Sequence, residues 1–178
     1  MQAYTIRNAT EAFAALDATT TDHSAALDKS LRNLSQRYYL PTLGRETRAD
    51  TFAAHSICAL RLIHRATLFG LDRWQIEGFA RWMQIEPNGP ARREAVPGGF
   101  RPLARIEEAC QRVKEGESFA FALIMYSDLS LGFSVDWATA NTEAAEAVFA
   151  SGSQKVEDVR LSFPASRLIA EVLRELGA

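Results

Sequence analysis

The residues of this chain best suited to bind another molecule are arginines, because a planar guanidinium group donates paired hydrogen bonds to phosphate oxygens. Residues 29–114 carry fifteen basic and eight acidic side chains, and thirteen of the fifteen are arginine. Residues 1–28 have a net charge of −3, and residues 115–178 a net charge of −6. This division predicts a nucleic-acid-binding face joined to an acidic second unit. A chance distribution of solvated charges is the alternative.

The first elements predicted to position these side chains are two helices, over about 9–17 and 22–36. The polar, β-branched sequence Asp-Ala-Thr-Thr-Thr separates them and favours a turn. Two helices joined by a tight turn are the skeleton of a helix-turn-helix, whose second helix enters the major groove. We expect base contacts from the exposed side of that helix and its end, from Lys29, Arg32, Asn33 and Gln36, with Arg37 and Tyr38 beside them.

Pro41 ends the second helix, and the sequence Pro-Thr-Leu-Gly-Arg-Glu-Thr-Arg-Ala-Asp follows. Gly44 suits a turn, and Arg45 and Arg48 flank it. The pattern fits a wing, a small hairpin whose arginines reach DNA phosphates. An ordinary surface loop fits it equally well.

A strongly periodic helix is predicted from Asp50 or Thr51, with Gly70 at its end. A short amphipathic helix follows, opened by the capping sequence that starts at Asp72 and stopped before Pro87. This pair would add phosphate contacts from Arg61, His64, Arg65 and Arg73.

Residues 51–79 resemble the helix-turn-helix that follows the wing in MerR-type regulators. In that family an aromatic residue opens a helix, a Leu-x-x-Ile pair follows, and a Gly-plus-apolar corner leads to a short helix with an isoleucine. The matching residues are Phe52, Leu60, Ile63, Gly70-Leu71 and Ile76. Upstream, Leu31-Arg32 and Tyr38-Tyr39-Leu40-Pro41 resemble the end of the recognition helix and the start of the wing. The resemblance spans about residues 4–84 and implies a winged helix-turn-helix that binds double-stranded DNA.

Residues 87–102 hold four of the six prolines and three of the ten glycines, which predicts a linker. Beyond it we predict a helix over about 102–115, strands 118–126 and 131–137, a helix 141–152, a strand 155–163 and a helix 164–176. The fold class is therefore α+β, in which a mostly helical winged helix-turn-helix domain (1–86) is joined to a small α/β domain (103–178).

The motifs of enzymes are missing from this sequence: it has no phosphate-binding glycine loop, no Gly-x-Ser-x-Gly, no Cys-x-x-Cys and no His-Glu-x-x-His. We expect neither an enzyme nor a cofactor. His55 and Cys58 are spaced to share a metal, but helix packing explains both, and no metal site is expected. No apolar run is long enough to span a bilayer, and no signal peptide is seen, so we expect a cytoplasmic protein.

These observations lead us to expect a DNA-binding transcriptional regulator that acts as a homodimer, because one such module buries little DNA. The acidic C-terminal unit would dimerise, sense a small molecule or meet a partner protein. Two alternatives stay open. One is a protein-interaction adaptor that uses a winged-helix fold, and the other is a ligand-binding or enzymatic α/β domain.

Overall fold

A computed structural model describes residues 2–18, 21–87, 92–137 and 155–178 of the chain. The described residues form six helices: α1 (Ile6–Leu16), α2 (Thr21–Arg37), α3 (Ala54–Leu68), α4 (Arg73–Gln84), α5 (Arg105–Lys114) and α6 (Ala165–Leu176). They also form eight strands: β1 (Tyr4–Thr5), β2 (Thr42–Glu46), β3 (Ala49–Phe52), β4 (Arg93–Val96), β5 (Gly99–Pro102), β6 (Phe119–Tyr126), β7 (Leu131–Trp137) and β8 (Glu157–Phe163). Helices and antiparallel sheets together confirm the predicted α+β class.

The sequence offers Asn8 as the cap of α1, with Glu11 reaching back to it, but Thr5 caps the helix, which therefore begins three residues earlier than predicted. The Thr5 backbone N–H donates to Asn8 Oδ1 at 2.9 Å, and the Asn8 N–H donates to Thr5 Oγ1 at 3.3 Å. This reciprocal pair satisfies two amides at the start of the helix. Asn8 therefore lies inside the first turn instead of capping it, and Ile6 is buried as part of the helix.

The hairpin β2–β3 occupies the place predicted for a wing, and β1 pairs with β3 to complete a three-stranded antiparallel sheet. Phe52 lies in β3 opposite both Tyr4 and Thr42, and it is buried. Because this residue is held in the ladder, α3 begins at Ala54 and not at residue 50 or 51 as predicted.

Helix α3 is the central element of the molecule. Every residue from Ser56 to His64 is buried, and the helix packs against α2, α4, α5 and α6. Gly70 follows with a φ of +89°, a conformation that favours glycine and turns the chain out of the helix. The Asp72 N–H donates to Gln75 Oε1 at 2.8 Å, which confirms the predicted capping of α4.

The segment predicted as a linker contains regular structure. Strands β4 and β5 pair as an antiparallel hairpin, and Pro97 and Gly98 form its turn, where Gly98 has a φ of +92°. The Leu103 N–H also donates to the Arg92 carbonyl at 2.9 Å, which ties the base of the hairpin to the chain that follows.

In the C-terminal part, β6 is the central strand of an antiparallel sheet with the order β7-β6-β8. The predicted strands and the helices on either side of them match α5, β6, β7, β8 and α6 within a few residues. The helix predicted over 141–152 lies outside the described residues.

The core is continuous from the first helix to the last. Phe79 of α4 stacks on Phe163 of β8 with ring centroids 5.5 Å apart, and Trp82 meets Phe121 of β6 edge-on at 5.1 Å. Helix α6 packs against α1, α3 and α5. Division into domains 1–86 and 103–178 stays a prediction, but buried residues on both sides of that boundary belong to one cluster.

Candidate nucleic-acid interface

The exposed face of α2 carries the residues predicted to read bases. Lys29, Arg32, Asn33, Gln36 and Arg37 are all exposed, and they recur at the spacing that places side chains on one side of a helix. The opposite side is buried and holds Leu31, Leu34 and Ser35. Burial of that apolar stripe therefore fixes the rotation of α2 and leaves its polar face in solvent.

The hairpin β2–β3 presents two of the predicted phosphate contacts. Arg45 and Arg48 are both exposed, and Arg48 lies in the two-residue loop that joins the strands. Thr47 and Arg48 have φ angles of +45° and +78°, the signs of a type I′ hairpin turn. Such turns usually contain glycine or asparagine, so a β-branched threonine there stores backbone strain. The strained turn holds Arg48 at the tip of the hairpin.

Helix α2 and the hairpin border one groove of about 370 Å³. Arg32 and Gln36 line it from the helix, and Glu46, Thr47 and Asp50 line it from the hairpin. The fold therefore brings two of the predicted base-reading residues beside the predicted wing, although nine residues of chain separate Gln36 from Glu46.

Three carboxylates lie among the cations of this surface. Arg32 Nε contacts Asp28 Oδ2 at 2.6 Å, and this hydrogen bond raises the pKa of Arg32. Arg45 Nε contacts Asp50 Oδ1 at 3.0 Å, and Glu46 is exposed on β2. Five cations and three carboxylates leave residues 28–37 and 45–50 with a net charge of +2. Exposed ion pairs of this kind are weak, so either arginine can exchange its carboxylate for a phosphate.

Tyr38 does not belong to this surface. Its side chain is buried at the end of α2, whereas the next residue, Tyr39, is 86 % exposed and has a φ of +50°. The chain leaves the helix between these residues, which turns the two aromatic rings in different directions. The sequence gives one indication that a tyrosine is exposed here: two tyrosines are adjacent at the end of a helix, and both cannot point into the core.

Arg61 and Arg65 are also removed from the predicted interface. Arg61 is 1 % exposed, and its Nη1 and Nη2 donate to the two oxygens of Asp17 at 2.7 and 2.6 Å. Arg65, half-buried one helical turn later, contacts the same carboxylate. A phosphate contact requires an accessible guanidinium group, and the guanidinium group of Arg61 is buried in the core. The structure makes these arginines partners of an internal carboxylate.

The electrostatics of this internal cluster follow from its burial. Burial raises the pKa of Asp17, but the Arg61 hydrogen bonds and the charges of Arg61 and Arg65 outweigh it and lower that pKa. His64 is 7 % exposed and stacks on Phe13, and burial together with the Arg61 charge lowers its pKa to about 4. A neutral, buried imidazole is unsuited to the phosphate contact predicted for His64.

Arg73 is exposed at the first position of α4 and is not one of the residues that line the groove beside α2.

Among the described residues, His55 and Cys58 do not belong to a group of side chains that could hold a metal ion. His55 lies 3.7 Å from Glu107 instead, and in the described part of the chain no group of three or more His, Cys, Asp or Glu side chains is arranged to hold a metal ion.

Comparison with models of known protein families finds no match, and a search of curated proteins finds no related sequence. Within the described part of the chain, no helix combines the length and apolar character needed to cross a membrane.

Proposed function

We propose that this protein is a DNA-binding transcriptional regulator with a winged helix-turn-helix that resembles the MerR type. Helices α1 and α2 would form the helix-turn-helix, hairpin β2–β3 the wing, and α3 and α4 the second helical pair. The order of these elements along the chain is the one that the resemblance implies. The protein would act in the cytoplasm as a homodimer, with its C-terminal part available to a small-molecule or protein effector.

One observation carries the proposal: the exposed polar face of α2 and the arginine-bearing hairpin border the same groove. In this arrangement Lys29, Arg32, Asn33 and Gln36 would reach base edges in the major groove. Arg45 and Arg48 would contact the phosphates on one flank and set the register of the helix. Phosphate neutralisation would dominate the affinity, so binding would weaken steeply as salt rises.

A protein-interaction adaptor is the second candidate, and two features of α2, the chain after it and the hairpin favour it. Tyr39 is 86 % exposed, and Leu43 of the hairpin, which lines a different pocket, is 49 % exposed, so these elements offer apolar area as well as charge. Asp28 and Asp50 already partner two of its arginines. Tyrosine and arginine together are typical of the centres of protein–protein interfaces.

The test is the binding of a labelled random-sequence duplex over a salt series, read by fluorescence anisotropy. The regulator predicts measurable binding at low salt and a steep decline of log affinity with log salt. Arg45→Ala/Arg48→Ala would reduce that slope by about two, because each phosphate contact contributes about 0.9. Arg174→Ala, on the distant C-terminal helix, provides the control and keeps the wild-type slope. No binding at low salt would reject the regulator in favour of the adaptor.

A further inference from the structure

A second arginine-lined region lies on another part of the molecule, where α1 ends, α3 ends and α6 begins. It is an open-sided pocket of about 640 Å³. Arg61 and Arg65 contribute to it from α3, and Arg167 contributes from the first turn of α6. Arginines from two helices that are distant in sequence therefore line one space.

The charges of this pocket are only partly balanced. Asp17 accepts from both Arg61 and Arg65, so one carboxylate serves two guanidinium groups. Glu171 is 3.9 Å from Arg167 Nε, beyond hydrogen-bond distance. Arg61 is fully buried, yet no acceptor among the described residues bonds to its Nε. Because Arg61 is buried, the cations of this pocket that a ligand can reach are Arg65 and Arg167.

The chain that leads into α6 forms part of the same wall. Ser162, Phe163 and Pro164 line the pocket immediately before the helix, and the Pro164 cap supplies no side-chain acceptor for the first-turn amides. The amino end of a helix carries a partial positive charge and favours anions. The partial charge of the helix end supplements the arginines and would not bind an anion without them.

Glu171 also lines the pocket, and the remaining walls are largely apolar. Leu16, Leu161 and Leu168 form the inner surface, and Leu68 and Phe69 stand at the rim with 63 % and 66 % of their surfaces exposed. Two neighbouring large apolar side chains in solvent beside a cationic pocket suit a ligand whose apolar body would cover them.

We propose that this pocket binds a small organic oxyanion, a molecule with a carboxylate or phosphate head and an apolar body. The head would lie between Arg65 and Arg167, and the body would lie against Leu68 and Phe69. Bidentate contact with guanidinium groups would provide specificity for the oxyanion, and burial of the apolar body against the apolar wall would favour an organic anion over a small inorganic one. This inference stands apart from the proposed function, because no nucleic acid takes part in it.

The experiment is a calorimetric titration of the full chain with octanoate and octyl phosphate, both below the concentration at which they aggregate. The neutral probe is 1-octanol, which has the same apolar body. We expect saturable binding of at least one anion, with the tighter of the two identifying the head group. We expect 1-octanol to bind at least about tenfold more weakly, the loss that one charge-assisted hydrogen bond represents.

Arg167→Gln is the decisive variant, because Arg167 is largely exposed and its replacement leaves the core intact. It should weaken anion binding about tenfold, and Arg65→Gln should do so as well. Arg174→Gln, on the same helix but outside the pocket, should bind as the wild type does. Equal affinity in the Arg167 and Arg174 variants, equal affinity for 1-octanol, or no saturable binding of either anion would each overturn the proposal. The proposal would also be overturned if the pocket bound only a protein partner or a second copy of the chain, and neither anion.

Discussion

Two groups of arginines share a residue type and a predicted role, but the fold gives them opposite surroundings. On α2 and hairpin β2–β3, Arg32, Arg45 and Arg48 are exposed, and the carboxylates beside the first two are themselves accessible to solvent. On α3, Arg61 is enclosed and bonded at both Nη atoms to Asp17. The role of an arginine therefore follows from what surrounds its guanidinium group. Basic residues that cluster in the sequence can lie partly in the core and partly on the surface.

The physical contrast is one of solvation. Water and mobile ions compete for the guanidinium groups of the exposed set, so their carboxylate contacts contribute little to stability and are easily exchanged. The buried set has lost its water, and removing one partner would leave a charge with no compensation. The exposed group is thus suited to binding, and the buried group to holding α1 against α3.

The largest effect is expected from Arg61→Ala. Removal of this guanidinium leaves Asp17 facing the core without its main partner, which typically costs about 3–5 kcal/mol. Urea unfolding would measure the loss, with Arg73→Ala, an exposed arginine of α4, changing stability by no more than about 0.5 kcal/mol. A similar small change in both variants would show that Arg61 contributes no more to stability than an exposed arginine does.

The pH dependence of stability separates the same cluster from the surface. The pKa of His64, about 4, lies below its ordinary value of 6.5, so between these values the unfolded chain binds a proton that the folded chain rejects. Stability should therefore fall as pH drops from about 6.5 to about 4, by about 3 kcal/mol from this group. His64→Leu should flatten that part of the curve in urea unfolding, and parallel curves for variant and wild type would contradict the assignment.

A single change at the hairpin tip should affect DNA and not the fold. Arg48→Ala is expected to lower the salt slope of duplex binding by about one and to leave the free energy of unfolding within about 0.5 kcal/mol of wild type. Anisotropy and urea unfolding on one preparation would provide both values. Lower stability with an unchanged salt slope would place Arg48 with the structural arginines.

The smallest effect concerns the strained turn. Thr47→Asn replaces a β-branched residue at positive φ with one that tolerates this conformation, and we expect it to stabilise the protein by about 0.5–1 kcal/mol. DNA affinity should stay at the wild-type level, because the position of Arg48 is preserved. Loss of stability in urea unfolding would show that the threonine makes contacts that outweigh its strain.

Local structure was largely predictable from the sequence. The amphipathic stripe of α2, Gly70 after α3, the Asp72–Gln75 capping and the strands of the C-terminal sheet all depend on neighbours within a few residues. The hairpin β4–β5 within the segment predicted as a linker was not predicted, because prolines and glycines mark the edges and turn of a hairpin as readily as they mark an irregular chain.

The residues of the candidate site were likewise predictable where their surroundings depend on near neighbours in the sequence, and not where they depend on distant residues. The exposure of Lys29, Arg32 and Gln36 follows from the periodicity of one helix, whereas the burial of Arg61 depends on Asp17, 44 residues earlier in the chain. One signal was present: from residue 53 to residue 63, Arg61 is the single charged residue apart from a histidine. A helix so poor in charge is buried on several sides, and its one arginine then requires an internal partner.

Hydrogen–deuterium exchange of the wild-type protein, with and without a random-sequence duplex at low salt, would locate the DNA-binding surface. We expect DNA to slow exchange in peptides covering residues 29–37 and 45–49, while peptides of α6 exchange at the same rate in both states. Protection confined to other parts of the chain, at a DNA concentration where binding is measured, would contradict the assignment of α2 and the hairpin as the interface.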